Sequence, residues 1–398
     1  MTFNRYSALV ALLGFVSAVA VAGEDRARDL GIPFEGQPGL LNAITDVAGV
    51  EVGHTTLNEG HGPLVVGDGP VRTGVTVVHP RGQTSTDPVF AGWFTLNASG
   101  EMTGTTWLEE RGLVEGPIAI TNTHSVGVVR DASVAWMVEA GWQADWHAPV
   151  VGETYDGALN DINGFHVTKE HALSAMAAAK GGPVVEGAVG GGTGMVCNGF
   201  KGGIGTASRV VEVGDARYTV GILVQCNYGW SGDGFRLGGR LMDDLLPGGE
   251  HCFTDRSIER HVDWFPYCKG ETASVQEPTR DGSIIIVVAT DAPLLPHQLM
   301  RLAKRPSLGL GRLGAISGDG SGDIFVAFST ANAGAISEND LSDISMYPNN
   351  MLSDIFQGAV LATEEAIVNA MVAADTMIGV AGLRIQELPE DRVREIFR

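Results

Sequence analysis

The stretch most able to do chemistry in this 398-residue chain runs Thr279-Arg280-Asp281-Gly282-Ser283-Ile284-Ile285-Ile286-Val287-Val288-Ala289. A polar, turn-prone tetrapeptide leads through Gly282 into a serine and then straight into an apolar strand. A serine so placed could attack the Gly282 carbonyl, shift the acyl group from nitrogen to oxygen and, after hydrolysis, head a new chain. Its own α-amine, with an ordinary pKa of about 7.7–8.0, would then serve as a built-in general base. Glycine suits the residue before such a bond because it tolerates unusual backbone angles and leaves its carbonyl open. Taken alone, the same residues also describe an ordinary loop entering a buried strand.

Other routes to hydrolysis lack their residues. The chain has no Gly-x-Ser-x-Gly elbow, no His-Glu-x-x-His helix and no penicillin-binding Ser-x-x-Lys context. Its ten histidines show no ligand pairing; His166 and His171 do not share a helix face well, so no metal site is expected. Gly190-Gly191-Gly192-Thr193-Gly194 lacks the Gly-Lys-Ser/Thr of a phosphate loop and reads as backbone approaching another element or a substrate. Of four cysteines, Cys197 and Cys226 sit in glycine-rich or apolar surroundings and read as buried thiols. Cys252 and Cys268 lie in a polar, irregular stretch, where a bridge and two free thiols both remain open.

The elements that must position Ser283 follow from periodicity. Apolar strands are expected near 74–80, 92–97, 117–123, 218–225, 284–289 and 324–330. Helices are expected over 132–140 with Asp131 as N-cap, from Thr168 to the Gly181-Gly182-Pro183 stop, after Asp291 with Pro293 in the first turn, and from about Ser353 to Met377. Strands apolar on both faces must be covered on both faces, which with interspersed amphipathic helices gives an α+β fold layered helix, sheet, sheet, helix. Residues 230–282 break the pattern, being polar and interrupted by Pro247, Pro266 and Pro278, and read as a lid or linker.

The formal charge of −21 argues against nucleic acid or an anionic membrane as partner. Arg5, the apolar run Ala8–Val21 and the small-x-small site Ala20-Val21-Ala22 make residues 1–22 a cleavable secretory signal. No later apolar run is read as spanning a bilayer, so the mature chain is expected to be soluble and exported, periplasmic or secreted.

With these blocks in view, the chain resembles the L-aminopeptidase/D-esterase–amidase family, whose exported members include the β-peptidyl aminopeptidases. The resemblance covers nearly all of the mature chain. It rests on Asn42-Ala43-Ile44-Thr45-Asp46, Leu96-Asn97-Ala98-Ser99-Gly100-Glu101-Met102-Thr103-Gly104, Thr121-Asn122-Thr123-His124, Gly152-Glu153-Thr154-Tyr155-Asp156-Gly157, Asn227-Tyr228-Gly229, Gly282-Ser283 with Thr290-Asp291-Ala292-Pro293, and Gly320-Ser321-Gly322-Asp323-Ile324. It implies a four-layer αββα sandwich like the N-terminal-nucleophile hydrolases but differently connected, shared with ornithine acetyltransferases. It also implies self-cleavage at Gly282-Ser283 into an α chain of 23–282 and a β chain of 283–398, one domain together, assembled as a homotetramer of α/β pairs without cofactor.

The same resemblance implies that Ser283 is the nucleophile, that Asn227 donates to the oxyanion, and that Ser321 and Asp323 hold the Ser283 amine and hydroxyl in register. Glu153 would receive the free ammonium of a short peptide, amide or ester, and Tyr155 would assist at the oxyanion or substrate. Rival readings are an N-acyl transferase of the same fold, which normally uses threonine, and a non-catalytic exported binding protein.

Overall fold

The computed structural model describes residues 25–230, 234–246, 251–268, 282–336 and 340–398. The expected signal peptide and the chain immediately before Gly282 lie outside the described residues.

Two sheets face each other. The first has the order β1 (Glu51–Glu59), β2 (Val71–His79), β5 (Ile118–Asn122), β6 (Val150–Thr154), antiparallel except for the parallel β5–β6 pair. Between β2 and β5 the chain leaves to supply β3 (Val89–Ala98), helix α1 (Thr105–Arg111) and β4 (Leu113–Val114) to the second sheet. After β6 comes a short hairpin, β7 (Val196–Cys197) and β8 (Phe200–Lys201), and then β9 (Gly203–Val213) and β10 (Ala216–Asn227). Two further short pieces follow, the β11 (Arg236–Leu237) and β12 (Arg240–Leu241) hairpin and β13 (Cys252–Phe253). With β14 (Ser283–Thr290) and β15 (Gly322–Ser329) the second sheet takes the order β4-β3-β15-β14-β10-β9. Only β14 and β15 run parallel in it.

Helices α2 (Val126–Ala140) and α3 (Lys169–Ala177) cover the outer face of the first sheet, where Val75, Val77 and Val151 meet Val129, Ala172 and Met176. Helices α4 (Pro296–Ala303), α5 (Pro306–Arg312) and α6 (Ser353–Val372) cover the second. The αββα sandwich is thus the observed architecture. β14 explains the continuous apolar run: Ile284, Ile286 and Val288 face the helices while Ile285, Val287 and Ala289 face the other sheet. Full burial of each Ile or Val is worth about 1.5–3 kcal/mol, so the strand behind Ser283 is firmly anchored. Gly205 lets α6 lie directly on the sheet, since a Cβ there would sit 2.6 Å from the Ala370 nitrogen.

Several local expectations are corrected. Helix α2 begins at Val126, fed by a 3-10 turn over Thr123–Ser125, and Asp131 lies inside it rather than capping it. Helix α4 begins at Pro296; the Asp291 carboxylate instead accepts the Thr219 N–H at 2.7 Å, tying β10 to the end of β14. The last long helix stops at Val372, and Ile378 lies, partly exposed, in β16 (Met377–Ile378), which pairs with β17 (Leu383–Ile385) and through it with β13. By length and composition α6 could cross a membrane, contrary to the sequence reading. It is instead packed inside the protein, with Glu365 paired to Arg28 and Arg209. The described parts of 230–282 are docked against the body rather than forming a free linker: Phe235 and Leu237 join one core, Trp230, Phe253 and Phe265 another.

Cys197 and Cys226 are not free thiols but a disulfide, and Cys252–Cys268 is a second one.

Candidate active site

Three strand ends meet at one edge of the second sheet. Antiparallel register sets Ser283, the first residue of β14, opposite Asn227, the last of β10. Parallel register sets it beside Gly322, the first of β15. Ser283, Asn227, Ser321 and Asp323 are therefore brought together by pairing alone, and all four are buried.

The Gly322 N–H donates to the Gly282 carbonyl at 3.0 Å and lies 3.3 Å from Ser283 Oγ, so the peptide bond before Ser283 is already polarised by a backbone donor. Gly282 adopts φ +150°, and a Cβ there would collide with the Asn227 carbonyl and sit 2.5 Å from Tyr228 Cα. Only glycine fits that close approach.

The Asn227 side chain is held at both ends. Its Oδ1 accepts the Val196 N–H at 2.9 Å and its Nδ2 donates to the Tyr155 carbonyl at 2.8 Å. That pattern fixes which end is the amide nitrogen and leaves its second hydrogen for an oxyanion. The hairpin supplying Val196 turns at Asn198-Gly199, both in left-handed conformation, the pattern of a type I′ turn. It is cross-linked to β10 by Cys197–Cys226, so the bridge lies next to both partners of the Val196–Asn227 bond. Lys201, with Nζ donating to the Met195 and Gly202 carbonyls at 2.7 Å each, closes the hairpin base; burial lowers its pKa to about 7.

Asp323 Oδ1 accepts the Ser321 hydroxyl at 2.8 Å. Burial pushes the Asp323 carboxyl above its usual range, while bonds from Ser317, Ser321 and the Ile284 N–H oppose that shift. The Ile284 contact puts the carboxyl one residue from Ser283.

Glu153 reaches the site from the first sheet. Gly152 lets β6 approach Ile285 of β14, and Gly100 lies between the Glu153 carboxylate and Gly322, its Cβ position 3.1 and 3.3 Å from them. Glu153 Oε1 accepts the Glu101 N–H at 2.9 Å and Oε2 the Thr123 hydroxyl at 2.6 Å. Burial raises its pKa, against the pull of those two bonds. Tyr155 contributes its carbonyl to Asn227, while its ring, partly exposed, lies 6.4 Å from that of Trp264.

Residues without a role in the sequence reading also shape the site. Thr123 stood inside a quoted block, and its bond to Glu153 depends on the 3-10 turn that carries it just past β5, where Thr121 is the register partner of Glu153. Val196 and the Gly322 N–H act through backbone atoms, which leave no side-chain signal.

A serine heading a buried strand, with an amide donor opposite it in an αββα sandwich, defines a hydrolase of the N-terminal-nucleophile type. The chain belongs to peptidase family S58, whose model matches residues 42–385. It is 54% identical over 406 aligned positions to the beta-peptidyl aminopeptidase BapA of Sphingosinicella microcystinivorans, covering 100% of this chain and 98% of the relative. Identity to BapA of Sphingosinicella xenopeptidilytica is 44%, covering 98% of this chain and 95% of that one. The structure matches the L-aminopeptidase D-Ala-esterase/amidase of Ochrobactrum anthropi, described as a prototype for the serine aminopeptidases and a new variant of the Ntn-hydrolase fold. That match has TM-score 0.80 and 45% identity, covering 94% of this chain and 98% of that one. A Burkholderia sp. beta-aminopeptidase matches with TM-score 0.79 and 46% identity, covering 93% and 98%. This protein is accordingly a serine-type aminopeptidase, as the resemblance implied.

Proposed function

We propose that the protein is exported, cleaves itself between Gly282 and Ser283, and then uses Ser283 to release N-terminal residues from short peptides, amides or esters. L-, D- and β-amino acids are all within the proposed range, and the working particle is a homotetramer of α/β pairs. The observation that most supports this reading is the convergence of Ser283, Asn227 and the Gly322 N–H on the Gly282–Ser283 junction.

In self-cleavage the Ser283 hydroxyl attacks the Gly282 carbonyl, whose oxygen is steadied by Gly322. The C–N bond breaks to leave an ester on Ser283 Oγ, and water hydrolyses it. The freed α-amine becomes the general base. In turnover the substrate ammonium meets Glu153, and Ser283 Oγ adds to the first carbonyl while passing its proton to the α-amine. The oxyanion takes the spare Asn227 N–H, the leaving amine collects the proton, and water then releases the acyl group. Asp323, with Ser321 on its carboxylate, orients the amine and hydroxyl. Tyr155 borders the substrate.

Denaturing electrophoresis with N-terminal sequencing tests the reading. Two chains, the smaller beginning Ser-Ile-Ile-Ile, are expected, with Ser283→Ala giving one full-length chain and no aminopeptidase activity. A single active full-length chain overturns it.

A further inference from the structure

Beside Ser283 stands a row of aromatic rings, of which only Tyr155 has a place in the proposed reaction. Trp230 Nε1 lies 3.0 Å from the Cβ position of Gly282, so this indole borders the scissile carbonyl. Trp264 meets Trp230 edge to face with centroids 5.5 Å apart, and Tyr155 follows at 6.4 Å from Trp264. The row therefore runs from the junction at Ser283 back to the strand end carrying Glu153. Trp230 is almost fully covered, whereas Trp264 and Tyr155 leave ring surface open.

The loop bearing Trp264 is fastened separately from the catalytic strands. Cys252–Cys268 closes it, the Phe253 N–H donates to the Pro266 carbonyl at 2.8 Å, and the Cys268 N–H donates to the Phe253 carbonyl at 2.9 Å. The ring nitrogen of His261 lies 3.0 Å from the Ala158 carbonyl, docking the loop just past Tyr155.

We infer that this stapled loop builds an aromatic subsite for the side chain of the substrate's N-terminal residue, with Trp264 as its specificity-determining residue. The assignment rests on the Ser283 and Glu153 reading above. A substrate with its ammonium at Glu153 and its carbonyl at Ser283 lays its N-terminal residue between those points, alongside Tyr155 and Trp264. Aromatic rings prefer offset or edge-to-face partners, and the row already has that geometry. The favoured substrates are thus short peptides or amides whose first residue, α or β, carries an aromatic side chain.

The test compares phenylalanyl with alanyl p-nitroanilides, in matched α- and β-amino series, on processed enzyme. Trp264→Ala should lower kcat/KM for the aromatic substrate roughly tenfold, chiefly through KM, and change the alanyl substrate less than about threefold. Trp264→Phe keeps a ring; if the alanine variant does not accumulate, a loss confined to the aromatic substrate in this variant supports the same subsite. Equal losses on both substrates, or no loss on either, overturn the inference. Failure of the underlying reading looks different: Ser283→Ala would then retain activity.

Discussion

Glu153→Gln separates charge from shape at the proposed ammonium site. Glu153 is 4% exposed and holds two bonds, from the Glu101 N–H and the Thr123 hydroxyl. A glutamine can keep both: its Oε1 accepts from Glu101, and its amide donates to Thr123, whose hydroxyl can accept as readily as donate. Only the negative charge is lost. Truncating one partner of a buried, hydrogen-bonded charge pair costs about 2–5 kcal/mol, and the retained amide dipole favours the lower part of that range. At about 1.4 kcal/mol per decade, kcat/KM for a free-amine aminoacyl p-nitroanilide should fall roughly 30- to 300-fold. The slow hydrolysis of a des-amino analogue should not change. Stability should move the other way. Burial raises the folded-state pKa of Glu153, so the fold favours the protonated carboxyl. That contribution is lost as pH rises from the unfolded pKa through the folded one, and at neutral pH the carboxylate opposes folding. The variant should therefore melt at the same temperature as wild type or higher. A loss under threefold, or an equal loss on the des-amino analogue, refutes the ammonium assignment.

Gly282→Ala should slow self-cleavage, because its Cβ meets the Asn227 carbonyl and Tyr228; uncleaved chain should persist over a time course on denaturing gels, and complete processing at purification would contradict this. Asn227→Ala should lower kcat by about 10²–10³ with a smaller change in KM, the signature of a lost oxyanion donor, measured on enzyme already processed. Replacing Cys197 and Cys226 together by serine should cost about 3–4 kcal/mol of stability for the 29-residue separation, and should also lower kcat more than KM as Val196 loosens from Asn227. An unchanged kcat would leave that bridge purely structural. On the acid side, log kcat/KM of wild type should fall as the Ser283 amine protonates and steepen where Glu153, its pKa raised by burial, also takes a proton; in Glu153→Gln the limit should be shallower by one proton.

What was legible in the sequence was whatever its side chains announce. A strand buried on both faces must be apolar at every position, so 284–289 stood out and carried Gly282-Ser283 with it. Thr168 and Ser353 do mark the starts of α3 and α6, but Asp131 and Asp291 misled, because both have the right chemistry for caps and other partners claim those starts: a 3-10 turn at Thr123–Ser125, and Pro296 with Asp291 spent on Thr219. Cys197 and Cys226 looked like thiols since each sits among apolar neighbours. Their pairing depends on the type I′ hairpin folding back on β10, a contact between segments whose spacing says nothing about approach. Trp264 gave no signal for the same reason, its place being set by a loop docked through His261 onto the Ala158 carbonyl.

The origin of each group in the two sheets has a mechanistic consequence. Ser283, Asn227, Gly322 and Asp323 belong to three adjacent strands of one sheet, so their backbone spacing is fixed by hydrogen-bonded register, and only the Asn227 amide leans on the other side, through the Tyr155 carbonyl just past β6. Glu153 comes from the facing sheet and reaches them only across the close packing at Gly152 and Gly100. The proposed self-cleavage has no free ammonium to bind, so it should require the first set alone, whereas turnover should require both. The two reactions should therefore come apart under mutation. Glu153→Gln should process fully and turn over poorly, while a bulkier residue at Gly152, which would press on Ile285 of β14, should disturb both, because it moves the strand that carries Ser283.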